Sequence, residues 1–370
     1  MTMRRLWLFN PENDLALAAG RAAYTPPAAA VRLRRSGALL PMWLAGADDY
    51  VLCDGAPREW MERMRGDFGL EGRVWDGSLP VSPTPWGWSQ YTRGVYERAG
   101  VPRDMLPDDG RLEVYRELSH RRTAAELHRL VAAKLDFEIW PGASEIHSAA
   151  ELAKYISRYG EVAVKLPWSS SGRGVSFADS ATDLRQAEGA IARYGSVLAE
   201  PRAGRLADLA MLYMAGEGGV EYRGLSVFET DARGGYQGNA VAGQETLETR
   251  LGALYPIERL REVTQAVSDG LAQLLGDRYC GPVGVDMLLA RTSGGETVLH
   301  ATVEINLRYT MGFVALALAP RVDGEAVYRI ENGDTTDTCR YVAEGGRLTS
   351  GRLALTPPGG DFTFVLQAWR

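Results

Sequence analysis

The sequence has few of the residues that build disulfide or zinc sites. It has 370 residues, of which only three are cysteines (Cys53, Cys280 and Cys339) and four are histidines. No CxxC pair occurs, and an odd number of widely spaced thiols argues against both a disulfide framework and a thiolate zinc site. We expect the cysteines to be buried apolar fillers. The histidines show no HExxH spacing, so a zinc-protease motif of that type is excluded.

An excess of positive charge and long hydrophobic runs are also absent. The chain carries 41 basic and 47 acidic residues, a net charge of −6, which makes nucleic acid a poor partner. The apolar run near the first residue stops at Asn10-Pro11, too soon for a secretory core, and the run 312–319 is too short to span a bilayer. With 45% apolar and 24% charged residues, we expect a globular, cytoplasmic protein without a membrane partner.

The first part of the chain predicts an α/β fold. Short apolar runs alternate with helical stretches over residues 1–110, which indicates a mainly parallel sheet. Three of these runs predict strands, at Arg5–Phe9, Leu39–Leu44 and Tyr50–Cys53. Residues 101–110 are rich in proline and acid and indicate a linker, and one basic helix is predicted over residues 111–133. The length fits two or three domains.

The second part of the chain shows a different pattern of predicted helices and strands. A capping box at Ser148 and Glu151 marks a helix start, and strands are predicted at residues 161–166, 175–178 and 196–200. Antiparallel-looking strands follow residue 200, interrupted by a long helix over residues 256–275. Residues 321–370 are rich in strand patterns and glycine turns, but their place in the fold does not follow from the sequence.

The strongest local signal is the stretch VAVKLPWSSSGRGVSF at residues 162–177. A strand ends at Lys165, and a loop with three serines and two glycines returns into another strand. Backbone N–H groups and serine hydroxyls suit phosphate oxygens, and Lys165 would add a point charge. The stretch is not a Walker A loop, because GxxxxGK[ST] is absent and no helix follows. The alternative is a serine-rich hairpin with a solvated lysine.

A second signal lies in the stretches GPVGVDMLLA (281–290) and TVLHATVEINLRYTMG (297–312). Glu304 and Asn306 are two residues apart and share one face of a predicted strand. Hairpin pairing would bring Asp286 beside them, and three oxygen donors on a rigid sheet suit Mg²⁺. Arg308, two residues after Asn306, lies on the same face and would point towards a transferring phosphate. The alternative is an exposed polar sheet face, although the apolar neighbours of Asp286 would bury an unpaired carboxylate.

The segment Asn10–Asp14 follows the first predicted strand directly. We interpret it as a turn whose Asx residue caps the next helix. The alternative is a ligand site, because ligands of open α/β sheets bind beyond the carboxyl ends of the strands.

Taken in order, these motifs resemble those of the ATP-grasp superfamily. The resemblance covers residues 115–320 and rests on Lys165 with the SSSGRGV loop, the strand ending at Glu200, Asp286, and the stretch Glu304-Ile-Asn306-Leu-Arg308. It implies an ATP-grasp fold of the α/β (α+β) class. In that fold an N-terminal α/β pre-ATP-grasp domain precedes two ATP-grasp subdomains that clamp the nucleotide.

The resemblance also implies roles for individual residues. The nucleotide would contact Arg122, Lys165, Ser169, Ser170, Ser171, Gly172, Arg173, Gly174, Glu200, Pro201 and Asp208. Lys165 and the loop would hold the phosphates, the hinge at Glu200-Pro201 the adenine, and Asp208 the ribose. The family's earlier basic residue falls on Arg122, with Arg121 an equal geometric candidate. Asp286, Glu304 and Asn306 would bind Mg²⁺ (or Mn²⁺), and Arg308 would act with Lys165 on the transferring phosphoryl group.

The resemblance implies four segments and an ADP-forming ligase. The segments are residues 1–114, facing the acceptor substrate, residues 115–200 with the phosphate loop, residues 201–320 with the metal site, and the extension 321–370. The enzyme would join a small-molecule carboxylate to an amine (or thiol) through an acyl phosphate. The alternatives are an ATP-grasp kinase and a non-catalytic ATP-binding regulator. The oligomeric state stays open, a homodimer being one of the states allowed.

Overall fold

The computed structural model describes residues 4–169, 174–179, 181–231 and 234–368. The helices are α1 (Asn13–Ala19), α2 (Ala28–Ser36), α3 (Arg58–Phe68), α4 (Gln90–Arg98), α5 (Asp109–Leu118), α6 (Arg122–Ala132), α7 (Ala149–Tyr159), α8 (Ala181–Tyr194), α9 (Gln244–Gly252), α10 (Ile257–Leu275) and α11 (Met311–Leu318). The strands are β1 (Arg5–Leu8), β2 (Tyr50–Val51), β3 (Arg73–Val74), β4 (Ser82–Pro85), β5 (Ser144–Ile146), β6 (Val162–Lys165), β7 (Val175–Ala178), β8 (Val197–Pro201), β9 (Gly204–Gly216), β10 (Gly219–Thr230), β11 (Tyr236–Val241), β12 (Gly281–Arg291), β13 (Thr297–Asn306), β14 (Ala326–Asn332), β15 (Tyr341–Glu344), β16 (Arg347–Ala354) and β17 (Phe362–Ala368).

The chain divides into two compact units, each assembled from separated segments. The first unit comprises Met1–Glu113, Gln237–Leu247 and Arg308–Arg370, and the second comprises Val114–Tyr236 and Glu248–Leu307. The finer predicted division of the chain at residues 114, 200 and 320 stays a prediction.

The first unit contains the predicted parallel sheet. Its strands lie in the order β3-β2-β1-β4, with Leu6 opposite Tyr50 on one side of β1 and opposite Pro83 on the other. Sequence reasoning missed β4, because its four residues include two prolines, which strands tolerate mainly at sheet edges. Leu6 of β1 and Tyr96 of α4 are fully buried in one hydrophobic cluster.

A run of five paired strands in the first unit gives residues 321–370 their place. Strands β11, β14, β17, β16 and β15 follow one another as antiparallel neighbours. Phe364 of β17 packs edge-on against Phe9, with ring centroids 5.7 Å apart. Gly37, which ends α2, fits here only because it lacks a side chain, since a Cβ would lie 2.3 Å from the Phe9 ring.

The second unit contains two further groups of paired strands. In one, strands β5, β8, β6 and β7 are antiparallel neighbours and pack against α7 and α8. In the other, the order is β13-β12-β9-β10, with α10 packed against β9 and β10. The predicted capping box starts α7: Ser148 Oγ accepts a hydrogen bond from Glu151 N at 3.2 Å. Glu151 Oε2 in turn accepts one from His147 N at 2.8 Å.

Three expectations about local structure are wrong. Leu39–Leu44 is no strand: Leu40–Trp43 forms a buried 3₁₀ turn, since Pro41 has no N–H to donate to a sheet. The expected linker at residues 101–110 is a 3₁₀ turn followed by the start of α5. The single basic helix is two helices, because Arg121 N leaves the helical pattern and donates to Pro167 O at 3.0 Å.

Two further features concern possible membrane-spanning helices and the exposure of the cysteines. Among the helices described, none combines the length and the apolar character needed to cross a bilayer. The expectation of buried cysteines is wrong, since Cys280 is exposed and Cys53 and Cys339 are half-buried.

Candidate functional site

Lys165 and Glu200 form a buried ion pair at the centre of the second unit. Lys165 ends β6, and Glu200 lies on the neighbouring strand β8, where it pairs with Ala163. Lys165 is two residues from Ala163, so it lies diagonally across from Glu200, and both side chains are on the same face of the sheet. Lys165 Nζ lies 2.6 Å from Glu200 Oε1, and the side chains are only 6% and 9% exposed. Each charge therefore compensates the other away from water.

His300 supports the same carboxylate from β13. Its Nε2 lies 3.2 Å from Glu200 Oε2, and the side chain is completely buried. Burial alone would raise the pKa of Glu200, but the adjacent Lys165 and His300 outweigh burial and lower it to about 2. The carboxylate is therefore ionised at every ordinary pH and holds Lys165 in place.

A second histidine packs behind His300. His128 of α6 contacts the His300 ring edge-on at 5.6 Å, and its Nδ1 lies 3.0 Å from Thr302 Oγ1. Burial, followed by the neighbouring His300, lowers the pKa of His128 to about 4. His128 is therefore neutral near pH 7.

Lys165 also reaches the strand that carries the predicted metal ligands. Its Nζ donates to the backbone oxygen of Val303 at 3.3 Å, one residue before Glu304. An ammonium group has three N–H donors, and within the described residues Lys165 uses two, towards Glu200 and Val303. One donor of a fixed, buried cation is thus left for a ligand beside β13.

The two strands of the second signal pair as the sequence predicts. Asp286 of β12 lies directly opposite Glu304 of β13. Asn306 Nδ2 donates to Asp286 Oδ2 at 3.1 Å, so the three side chains lie together. A register shift follows Asp286 along β12, and such irregularities change the aim of side chains at functional sites.

Arg121, and not Arg122, lies in this cluster. Arg121 Nη2 is 3.0 Å from Glu304 Oε1 and donates to both the backbone oxygen and Oγ of Ser169, at 3.2 and 3.1 Å. Its Nε is buried and has no partner within the described residues. Arg122 has an exposed side chain on the first turn of α6. Of the two candidates that the sequence left open, the geometry favours Arg121, and the role of Arg122 stays a prediction.

The ends of the serine-rich loop are well packed. Gly174 has a φ of +73°, and its oxygen accepts from Leu166 N at 2.8 Å, which closes the loop. Trp168 is anchored by a bond from its Nε1 to Arg116 O at 3.0 Å, and the Arg116 guanidinium lies 4.1 Å from its ring centre. The predicted ligands Ser170, Ser171, Gly172 and Arg173 lie outside the described residues.

Asp208 lies on the same sheet face as Asp286 and Glu304. Asp286 pairs with Ala210 on β9, and Asp208 is two residues away, so it points to the same side. Its Oδ2 accepts from Thr230 Oγ1 at 2.6 Å and from Arg205 at 3.0 Å, and burial raises its pKa. Pro201, which ends β8, uses its carbonyl to accept from Trp140 Nε1 at 3.2 Å.

The predicted catalytic residue Arg308 belongs to the first unit. It pairs with Asp14, with Nε 2.9 and 3.0 Å from the two carboxylate oxygens and Nη2 2.8 Å from Oδ2. This is the geometry by which arginine holds an oxyanion with two parallel bonds. The neighbouring Tyr309 N donates to Trp86 O at 2.8 Å, which fixes the backbone here.

Sequence reasoning missed the two histidines, and it considered Asp14 only as part of the segment Asn10–Asp14. His300 lies at an even spacing from Glu304 and Asn306 on one strand, which could have indicated it. No local pattern indicates His128, because its place depends on the packing of α6 against β13.

The donor set fits a small, hard cation. Two carboxylates and an amide on neighbouring strands offer the oxygen ligands that Mg²⁺ prefers. Within the described residues no cluster of three or more His, Cys, Asp and Glu side chains suits a metal. The predicted site has only two acidic residues, Asp286 and Glu304. Such a site needs oxygens from a second molecule to complete six-fold coordination.

Solved structures resemble this chain along its whole length. The biotin carboxylase domain of 2-oxoglutarate carboxylase from Hydrogenobacter thermophilus, solved with MgADP, ADP and bicarbonate, is 13% identical with a TM-score of 0.53; 100% of this chain and 87% of that chain are covered. Biotin carboxylase from Campylobacter jejuni, in a β,γ-ATP complex, is 12% identical at 0.52, with the same coverage. The N5-carboxyaminoimidazole ribonucleotide synthetase of Thermus thermophilus is 12% identical at 0.50, covering 98% and 93%.

Sequence comparison adds nothing to this likeness. No protein-family model matches the sequence, and no curated protein matches it either. At such low identity, the similar structures establish a common fold and leave the reaction to be argued from the residues.

Proposed function

Because the chain has the ATP-grasp fold, we propose that it is an ATP-dependent ligase that joins a carboxylate to an amine or thiol. One observation carries the proposal: the buried Lys165 ammonium, with one N–H donor left among the described contacts, lies beside β13, whose Glu304 and Asn306 meet Asp286 of β12. A fixed cation next to oxygen donors for a divalent metal is suited to a nucleoside triphosphate.

The phosphates would be held from two sides. Lys165 would donate its third N–H, and the loop would contribute Ser169 and Gly174 together with Ser170, Ser171, Gly172 and Arg173. Arg121 is buried against Ser169 and Glu304 and would add a second positive charge. Such preorganised charges need no rearrangement when negative charge shifts during transfer.

The divalent cation would be held by Asp286, Glu304 and Asn306. Mg²⁺ (or Mn²⁺) held there would offset the negative charge of the phosphates. Binding requires Glu304 to exchange its pairing with Arg121, and Asp286 its bond with Asn306, for contacts to the cation.

The remaining nucleotide contacts are proposed for the strand end at Glu200-Pro201 and for Asp208. The carboxylate of Glu200 is occupied by Lys165 and His300, so only its backbone would contact the adenine. Asp208 would accept hydrogen bonds from the ribose hydroxyls in exchange for its present bonds to Thr230 and Arg205. The Arg205 side chain is 43% exposed. Water can therefore solvate its guanidinium once the ribose hydroxyls have replaced it as the partner of Asp208.

The proposed reaction has two steps. A carboxylate oxygen of the substrate attacks the γ-phosphorus; the new O–P bond forms, the bond to the β-phosphate oxygen breaks, and ADP leaves. The amine nitrogen then attacks the acyl carbon; the C–N bond forms, the C–O bond breaks, and phosphate leaves while the amine loses a proton. Arg308 is proposed to stabilise the transferring phosphoryl group. The protein contributes positioning and charge.

Oxygen-18 transfer tests this reaction directly. The protein is incubated with ATP, Mg²⁺ and a panel of ¹⁸O-carboxylate substrates with amines, and ADP, phosphate and product are followed by mass spectrometry. The proposal predicts stoichiometric ADP and phosphate, a coupled product, and one ¹⁸O in the phosphate. A phosphorylated product without coupling identifies a kinase and contradicts the proposal.

A matched pair of variants controls the site assignment. Glu304→Gln should abolish turnover while the circular dichroism spectrum stays unchanged. Glu296→Gln, in the exposed turn between β12 and β13, should keep full turnover. Full activity in Glu304→Gln would reject the metal assignment.

A further inference from the structure

Among the buried polar atoms that have no hydrogen-bond partner in the described part of the chain, Glu12 Oε2 and the Tyr24 hydroxyl belong to segments that follow β1 of the parallel sheet. In the strand order β3-β2-β1-β4, the chain adds β2 and β3 on one side of β1 and then adds β4 on the other side. In open parallel sheets, ligands bind beyond the carboxyl ends of strands at such a point. The residues that follow β1 and β4 are Asn10–Asp14 and Trp86–Trp88.

The segment after β1 is not the capped turn that the sequence suggests. Asn10 donates from Nδ2 to Gly87 O at 2.9 Å and accepts from Gly87 N at 3.3 Å, so it ties the ends of β1 and β4 together. The first residue of α1 is preceded by Glu12, which makes no side-chain cap. Asn10, Glu12 and Asn13 are all buried, with exposures of 1 to 2%. Such burial of polar side chains is costly unless each is satisfied.

Glu12 is only half satisfied. Its Oε1 pairs with Arg34 Nη1 at 2.6 Å, and Arg34 also donates to Tyr91 Oη at 3.0 Å. Its second oxygen, Oε2, is buried and has no hydrogen-bond partner within the described residues. A buried carboxylate oxygen left without a donor is costly, and a donor from a bound molecule would remove that cost.

A second such atom lies close by. The hydroxyl of Tyr24 is also buried without a partner in the described part of the chain. The Tyr24 ring packs edge-on against Tyr91 at 5.5 Å, and the negative charge of Glu12 is near enough to help raise the pKa of Tyr24, after burial. Arg34 and Tyr91 connect the two residues, because Arg34 binds both Glu12 and Tyr91, and the Tyr91 ring packs against Tyr24.

We infer that Glu12 and Tyr24 form a binding subsite for the primary amino group of a small molecule. An amino group donates N–H to Glu12 Oε2 and has a further N–H, or a lone pair, for the Tyr24 hydroxyl. An anionic ligand is excluded, since Glu12 would repel it. A protonated amine adds a charge-assisted bond, which is about twice as strong as a neutral one.

The inference deepens the proposed function, on which it rests for its role, because the amine would be the group that the ligase couples. Binding itself needs no ATP and can be measured alone. The burial of Glu12, which raises its pKa despite Arg34, agrees with a carboxylate that gains from a cationic partner.

Saturation-transfer NMR on the full chain tests the subsite without nucleotide. The probes are methylamine, ethylamine and ethanolamine, compared with ethanol and with tetramethylammonium, a cation that has no N–H. For ligands of so few atoms, a Kd of about 1 mM or weaker is expected. We predict binding of the primary amines only. Equal binding of ethanol or tetramethylammonium, or no amine binding by the folded protein, overturns the inference.

Two variants separate the subsite from a structural role. Glu12→Gln should weaken ethylamine at least about tenfold, the loss of one charge-assisted bond. Because that change also disturbs Arg34, Tyr24→Phe is the second variant. It removes a buried hydroxyl that has no partner among the described residues, so the unliganded protein should keep its Tm or gain a little, while amine binding weakens. A lower Tm with unchanged binding contradicts the inference. Tyr159→Phe on α7 is the matched control and should change neither.

The two proposals fail separately. A protein that binds the non-hydrolysable ATP analogue with Mg²⁺ but no amine overturns the subsite alone. A protein that binds amines but no nucleotide overturns the ligase proposal alone and leaves a plain amine-binding site.

Discussion

Replacing Glu200 by glutamine should destabilise the second unit strongly. The variant keeps the size of the side chain but leaves the Lys165 ammonium, 6% exposed, without its counter-charge. Breaking a buried ion pair by removing one partner costs about 3–5 kcal/mol. The lowered pKa of Glu200 gives a similar figure: a fall from 4.5 to about 2 corresponds to about 3 kcal/mol.

The same pKa fixes the pH range of the effect. Because the folded-state pKa lies below the ordinary value, the stabilisation is fully present above pH 4.5 and is lost as the pH falls through about 2. The difference in unfolding free energy between the wild type and Glu200→Gln should therefore be constant near pH 7 and shrink between pH 4.5 and 2.

Urea unfolding in a double-mutant cycle measures the pair. Glu200→Gln and Lys165→Met should each cost about 3 kcal/mol, and the double variant should cost clearly less than their sum, by about 2 kcal/mol. Glu161→Gln is the matched control, since its ion pair with Arg202 is exposed and is expected to be worth less than about 1 kcal/mol. Additive single effects, or a Glu200→Gln cost no larger than that of the control, would refute the buried pair.

Three further predictions concern stability. His128→Asn should reduce the loss of stability that occurs as the pH drops from 6.5 to about 4, where the unfolded chain binds a proton that the folded His128 excludes; urea unfolding at several pH values would show this. Gly37→Ala should lower the unfolding free energy by about 1–3 kcal/mol, because its Cβ would overlap the Phe9 ring; an unchanged Tm would contradict the packing. Gly189→Ala, in open space on α8, should instead raise it by about 0.5–1 kcal/mol.

The sequence predicts the regular parts of the fold well. Apolar runs and caps indicate β1, the start of α7 and the bounds of α10 closely, because the information lies within each segment. The hairpin of β12 and β13 follows from a glycine turn between two apolar strands, and with it the pairing of Asp286 and Glu304.

Other features depend on contacts between distant segments. The helix break before α6 comes from the hydrogen bond between Arg121 N and Pro167 O, which no local sequence pattern indicates. The same bond decides which of two adjacent arginines turns inwards. Glu200 and His300, which surround Lys165, likewise come from two different sheets, so their convergence follows only from the tertiary structure.

Mg²⁺-dependent nucleotide binding is the most direct test of the central claim that Lys165 and the Asp286, Glu304 and Asn306 side chains form one triphosphate site. Isothermal titration compares a non-hydrolysable ATP analogue, with and without Mg²⁺, in the wild type and in Asp286→Asn. The account predicts one nucleotide per chain in the wild type, bound more tightly with Mg²⁺, and loss of that Mg²⁺ effect in the variant. A folded wild type that binds no nucleotide, or a variant with an undiminished Mg²⁺ effect, would contradict it.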